Sequence, residues 1–202
     1  MDLLLPTRCA GCDTLHRGLL CPACTPGGIH HAPLRVPGLA GCITLGGYDG
    51  PLGRAVRRCK TQSDRHLALT LAATLARRVD ARGFDAIVAA PTPWTRRWRR
   101  GFHLAALLAR AVAQRSGVPE CRALTSRPGP RQSASPAPRA RRKNLQGRVR
   151  SRRPVPGRVL LIDDVVTTGA TAQACVRELL GDASQEVWLA TLCAVRRRPA
   201  PG

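Results

Sequence analysis

Two groups of residues in this 202-residue chain have the types and the spacing to do chemistry. The first lies in Val159–Leu180, VLLIDDVVTTGATAQACVRELL. Val159, Leu160, Leu161 and Ile162 form a continuous apolar run, the pattern of a strand buried on both faces. Asp163 and Asp164 stop that run, and a loop of small and hydroxylated residues follows. Ala174, Val176, Leu179 and Leu180 then recur at helical spacing, so the loop feeds a helix N-terminus. Backbone N–H groups at a helix start, reinforced by the helix dipole, attract an anion. Gly169 lets the backbone approach a phosphate closely, and Thr167, Thr168 and Thr171 add hydroxyl donors. Two carboxylates cannot bind that phosphate, but they can accept from sugar hydroxyls or help hold Mg²⁺. The whole suits a phosphorylated sugar.

The second group is Cys9-Ala-Gly-Cys12 and Cys21-Pro-Ala-Cys24, two C-x₂-C knuckles eight residues apart. Each knuckle turns two thiolates toward one point, and two complete a tetrahedral Zn²⁺ site. The segment between them has few large apolar residues, so metal binding would supply its folding energy. His16 is a competing ligand, but four thiolates already fill the site. Cys42, Cys59, Cys121, Cys175 and Cys193 have no paired spacing and read as small buried apolar residues.

These groups need elements to position them. Gly27 to Gly41 is rich in Gly and Pro and reads as a linker. Cys42 to Leu45, with Tyr48, predicts an edge strand before a Gly46-Gly47 turn. Leu52, Ala55 and Val56 predict a short helix ending near Cys59-Lys60. Asp64 is the expected N-cap of a longer helix carrying Leu67, Leu71 and Leu75. Phe84 to Ala90 is the next strand, and the proline-bearing turn after it, Pro91-Thr92-Pro93-Trp94, suits a second phosphate group. A helix with Leu104, Leu107, Leu108, Ala111 and Val112 on one face follows, and Glu186 to Leu192 is the last core strand.

Composition bounds the partners. The chain is 44% apolar but only 3% aromatic, so Ala, Leu and Val must build its core. Its formal net charge is +21, and Lys60 and Lys143 are its only lysines. One reading of that charge is a polyanionic partner, nucleic acid or a phosphate-rich ligand. The other is the codon bias of a GC-rich genome, which enriches Arg, Ala, Gly and Pro together. The leading MDLLLPTRC has too short an apolar run for a signal peptide, and no run is long enough to span a bilayer. A cytoplasmic location with reduced cysteines is expected.

The Asp163–Thr171 segment closely resembles the PRPP-binding motif of type I phosphoribosyltransferases, where PRPP is 5-phosphoribosyl 1-diphosphate. The resemblance implies that Asp163 and Asp164 contact the ribose hydroxyls. It also implies that Val166, Thr167, Thr168, Gly169, Ala170 and Thr171 cradle the 5′-phosphate, with Mg²⁺ accompanying PRPP. Pro91 and Thr92 would then open a pyrophosphate loop, Arg100 would stabilise the leaving group, and Asp164 would act at the ribose or as a base. Pro91-Thr-Pro, Arg100-Gly101-Phe102, Gln132, Arg142, Asn144 and the motif occur in the order seen in the ComF family. That family joins a four-cysteine zinc ribbon to a phosphoribosyltransferase-like domain and is associated with DNA uptake in natural competence. The chain departs from it at His103-Leu104, where the family has Asn-Gln, and two amide side chains are lost.

The expected architecture is therefore α/β, a type I phosphoribosyltransferase-like fold with a mostly parallel central sheet. Residues 1–30 form a zinc ribbon, 31–48 a linker and edge strand, and 49–198 the phosphoribosyltransferase-like domain. Within it, 125–156 is a flexible basic loop, read either as a lid and nucleic-acid arm or as a solvated loop. Two functions stay open. One is a phosphoribosyltransferase of the ComF type, taking part in DNA uptake. The other is a non-enzymatic single-stranded-DNA-binding competence factor that uses PRPP as a regulatory ligand. Trp94 and Trp98 would stack on bases in the second, or simply cover the sheet edge.

Overall fold

The computed structural model describes residues 7–92, 101–127 and 148–195. Its centre is a five-stranded sheet in the order β3-β4-β9-β8-β5. These strands are β3 (His30–His31), β4 (Leu39–Gly47), β5 (Ala86–Ala89), β8 (Gly157–Val166) and β9 (Ser184–Ala194). The last four run parallel, and β3 alone is antiparallel, against β4. Parallel strands need crossovers, and helices supply them on both faces. Helices α1 (Pro51–Gln62), α2 (Arg65–Arg78) and α3 (Leu104–Ser116) pack on one face against Leu160, Ile162, Ala190 and Leu192. Helix α4 (Ala170–Asp182) covers the other, against Val159, Leu161, Val187 and Leu189. This is the mixed α/β arrangement expected from the sequence, with mostly aliphatic side chains in the strand interiors, joined by Thr44, Thr191, Cys42 and Cys193.

Local signals act where the sequence places them. The Asp64 carboxylate accepts from the N–H of Leu67 at 2.9 Å and starts α2. Such a cap is worth about 1 kcal/mol. Leu67, Leu71 and Leu75 are fully enclosed beneath it.

Three expectations need correction. Asp163 and Asp164 do not end the strand: β8 runs on to Val166, because β9 extends equally far and pairs with Asp163, Val165 and Val166. Gly46 and Gly47 are not a turn but the end of β4, opposite Cys193 and Ala194 of β9. Nor is β4 the edge, since His30–His31 caps it from what was read as a linker. The third concerns 125–156. Here β6 (Leu124–Ser126) and β7 (Val149–Ser151) form an antiparallel ribbon, and Val155 is buried. Residues 128–147 of that stretch, including Gln132, Arg142 and Asn144, lie outside the described residues, as do Pro93 to Arg100 with Trp94 and Trp98.

A small two-stranded element opens the described chain: β1 (Thr7–Arg8) pairs with β2 (Leu15–His16). It is not a free-standing bead. Cys9, Leu20 and Cys24 share the apolar cluster of α1 and α2, and Arg54 of α1 donates to the Gly11 carbonyl at 2.6 Å. Among the described residues no helix is long and apolar enough to cross a membrane.

Candidate functional site

The carboxyl end of β8 carries the acidic pair, and the strand alternation sends its two side chains apart. Asp164 turns to the α1 face, where Lys60 Nζ donates to its Oδ1 at 2.7 Å. Both partners are largely covered, 20% and 17% exposed. Asp163 turns toward α4 and accepts from the N–H of Asp164 at 2.8 Å. Burial, and then the neighbouring Asp164 charge, push the Asp163 carboxyl up to about 7, against the pull of that N–H and of Lys60. The folded protein thus favours a neutral Asp163. The resulting stability is complete below the ordinary value of 3.8 and is lost as pH rises through about 7. Asp163→Asn is expected to gain on the wild type across that window, by roughly 2–4 kcal/mol in urea unfolding between pH 4 and 8. A difference that stays flat with pH would remove burial of the charge as the dominant effect.

Beyond Val166 the chain turns into α4 through Thr167, Thr168 and Gly169. Gly169 is the N-cap, with φ +78°, and a Cβ there would meet Val36 Cγ2 at 2.9 Å. A side chain at this position is excluded both by the backbone and by the 34–36 segment lying over the loop. No side chain caps α4 and no acid sits in its first turn. The first-turn amides have no partner within their own helix. Thr167 is exposed, and Thr168 and Thr171 are half-buried around that helix start.

Pro91 and Thr92 follow β5, which lies beside β8. The N–H of Ala90 donates to the Ile162 carbonyl at 2.8 Å, one residue before the acidic pair. The start of the loop is also held from α3. His103 Nε2 lies 3.0 Å from the Ala90 carbonyl and, as donor, would tether it. The sequence shows only that amides are lost at 103; the imidazole makes a contact with the loop instead. Arg100 lies outside the described residues.

On the other side of β8, beyond the ends of β9 and β4, there is a cavity of about 660 Å³. Thr167 lines it together with His30, His31, Arg35, Gly47 and Val195. The motif loop thus stands between the Pro91–Thr92 turn on one flank and this cavity on the other. Two elements here escaped sequence reasoning. The His30–His31 strand hides in Gly/Pro-rich composition. Lys60 was visible as one of two lysines in a chain with 33 basic residues, yet nothing local marks its partner 104 residues away.

The four cysteine sulfurs of the two knuckles lie within 4.8 Å of one another. Cys12 and Cys21 Sγ are 3.7 Å apart, near the roughly 3.8 Å that tetrahedral Zn–S bonds of about 2.3 Å require. Burial opposes ionisation of Cys9, but N–H donors of Cys21, Gly11 and Cys12 outweigh it and lower the thiol. The Thr14 hydroxyl, followed by its N–H and the Cys24 thiol, brings Cys12 down to about 6. Burial and the crowding of the other thiols push Cys24 well up. Gly11 is required here, because a Cβ would meet Cys24 Sγ at 2.9 Å. The donor set, its spacing and its N–H···S support fit Zn²⁺, with His16 outside it.

Fold and site define an α/β protein with an acidic pair and a Thr/Gly loop at the end of a central strand and a compact four-cysteine module. No family model matches the chain. Among curated proteins it is 30% identical over 186 residues to the DNA utilization protein YhgH of Escherichia coli (strain K12), covering 84% of this chain and 82% of that one. The protein of that name from Salmonella typhi is 31% identical over 187 residues, with the same coverage. The chain belongs to this family, the ComF family of DNA utilization proteins. Of solved structures, the glutamine PRPP amidotransferase of B. subtilis aligns at TM-score 0.44 and 20% identity, over 61% of this chain and 25% of that one. The adenine phosphoribosyltransferase of Leishmania tarentolae aligns at TM-score 0.38 and 14% identity, over 66% and 73%.

Proposed function

We propose that this protein binds PRPP at Asp163–Thr171 and serves DNA utilization, the role its relatives are named for. One observation carries the reading. An acidic pair at a strand end is followed directly by an uncapped helix start with a left-handed Gly169, so donors for a phosphate adjoin acceptors for a diol. In this reading Asp163 and Asp164 hold the ribose hydroxyls, and Val166, Thr167, Thr168, Gly169, Ala170 and Thr171 surround the 5′-phosphate. The turn at Pro91 and Thr92 receives the diphosphate.

The cavity opposite that turn favours transfer over simple binding. Displacement at C1 requires the incoming atom to approach from the side away from the leaving group. The nucleophile's electron pair forms the new bond to C1 as the C1–O bond breaks, and pyrophosphate leaves with the electron pair of that C1–O bond. The space by His30, His31 and Arg35 would admit the acceptor, Asp164 would work at the ribose, and Arg100 at the leaving group. Positioning and preorganised charge supply the catalysis. Mg²⁺ would neutralise the diphosphate, and the carboxylate oxygens of Asp163 and Asp164 are the donors suited to it. Zn²⁺ would hold Cys9, Cys12, Cys21 and Cys24 as a structural ion. A cytoplasmic location and a phosphoribosyltransferase-like domain spanning 49–198 belong to the same reading. Calorimetry with PRPP and Mg²⁺ tests it; no heat of binding at millimolar ligand would sink it.

The net charge of +21 favours a further contact with single-stranded DNA. Affinity is expected to fall steeply with salt, by about 0.7 log unit per log unit of salt for each phosphate neutralised. Band shifts in a salt series, with arginines of 96–100 and 139–153 neutralised, are expected to flatten that slope. An unchanged slope would make the charge compositional. Part of that run is already engaged, since Arg150 lies 3.7 Å from Glu178. A chain that binds DNA and PRPP but releases no pyrophosphate would be the non-enzymatic competence factor.

A further inference from the structure

We infer that Lys60 contacts the diphosphate of the bound sugar and is a residue by which the site tells PRPP from ribose 5-phosphate. This rests on the reading of Asp163–Thr171 as a PRPP site and assigns it a side chain from outside the motif. Lys60 sits in the last turn of α1, where helix carbonyls favour a cation. Its Nζ is 2.7 Å from Asp164 Oδ1. Arg57, one turn earlier on α1, donates to the Tyr48 carbonyl at 2.8 Å and lies over the Tyr48 ring. Among the described residues Lys60 is thus the ammonium paired with Asp164.

Sugar geometry then decides what Lys60 meets. In PRPP the 1-diphosphate is on the α face of the ring, the face that carries the 2′ and 3′ hydroxyls. A carboxylate that accepts from those hydroxyls has the diphosphate beside it. An ammonium bonded to that carboxylate therefore lies next to the diphosphate oxygens. Lysine has three N–H donors, and Asp164 takes one of them. Lys60 can keep Asp164 in place and still donate to the diphosphate. Ribose 5-phosphate has the same diol and the same 5′-phosphate but offers only a neutral hydroxyl at C1, with no charge for the ammonium to pair with. The alternative is a strut that neutralises Asp164 and nothing more, and it would serve both ligands equally.

Calorimetry with PRPP and with ribose 5-phosphate, each with Mg²⁺, on the full chain separates the two. Lys60→Gln keeps a donor for Asp164 and removes the charge. It is expected to weaken PRPP roughly ten- to hundredfold, the effect of one charged hydrogen bond, while ribose 5-phosphate changes by less than about threefold. Lys60→Arg is expected to restore most of the preference. Lys60→Met, which keeps the apolar stem, gives the same readout if the amide variant does not fold. Equal loss for both ligands, or an unchanged preference, overturns the assignment while leaving the PRPP site standing. A wild type that binds neither ligand overturns the PRPP reading and this inference together.

Discussion

Asp163→Asn combined with Asp164→Asn is expected to abolish PRPP binding while the sheet stays folded. Bound sugar hydroxyls, donating to it, would draw Asp163 into its charged form, so that each carboxylate would accept charge-assisted hydrogen bonds from the ribose diol, worth about 1.5–3 kcal/mol apiece. Losing both removes roughly 3–6 kcal/mol, a fall in affinity of about two to four powers of ten. The fold is expected to tolerate the change because the two sites pull in opposite directions. Neutralising Asp163 relieves a charge that burial disfavours. Neutralising Asp164 costs the Lys60 pair, which is only partly exposed and leaves an ammonium short of a partner. The β8–β9 ladder, built of backbone bonds, is untouched. Calorimetry reads the affinity and urea unfolding the fold. A double variant that binds PRPP as the wild type does would remove the carboxylates from the ribose.

The main strands and helices around the central sheet are legible because each rests on a local rule. The Asp64 cap, the Leu67–Leu71–Leu75 stripe and the unbroken VLLI run need no knowledge of the rest of the chain. What was misread depends on neighbours. Two aspartates look like the end of a strand, but a strand ends where its partner ends, and β9 reaches as far as Ala194. Gly46-Gly47 looks like a turn until Cys193 and Ala194 stand opposite it. The same holds for the candidate site. The contiguous part, 163–171, can be read off the chain. The Lys60–Asp164 pair and the contact of His103 with Ala90 join distant segments, and the crossover topology alone brings them together. The knuckle spacing announced a metal site, but not that it packs into the core beside α1.

That packing sets the scale of the last expectation. Cys21→Ser is expected to release Zn²⁺, seen as loss of about one metal per chain in elemental analysis. The loss is not expected to stay within the knuckles. The three thiols that remain, drawn close together without an ion, repel as they ionise, and Cys9 and Cys24 lie in the cluster that seats α1 and α2. The Gly11 carbonyl that takes Arg54 and the Asp13 carboxylate that lies 3.3 Å from Arg58 both belong to the first knuckle and its turn. When that turn loosens, α1 loses its anchor at Arg54 and Arg58, and Lys60 lies at the far end of the same helix. Stability is expected to fall by several kcal/mol, since binding energy at such a site is folding energy. Amide exchange should then rise in residues 7–25 and in α1, but not in β8 or β9, whose ladders the metal does not touch. PRPP affinity should weaken with it, less than in Lys60→Gln. Zinc-free protein with unchanged protection in α1 would show that the module sits beside the helix without supporting it.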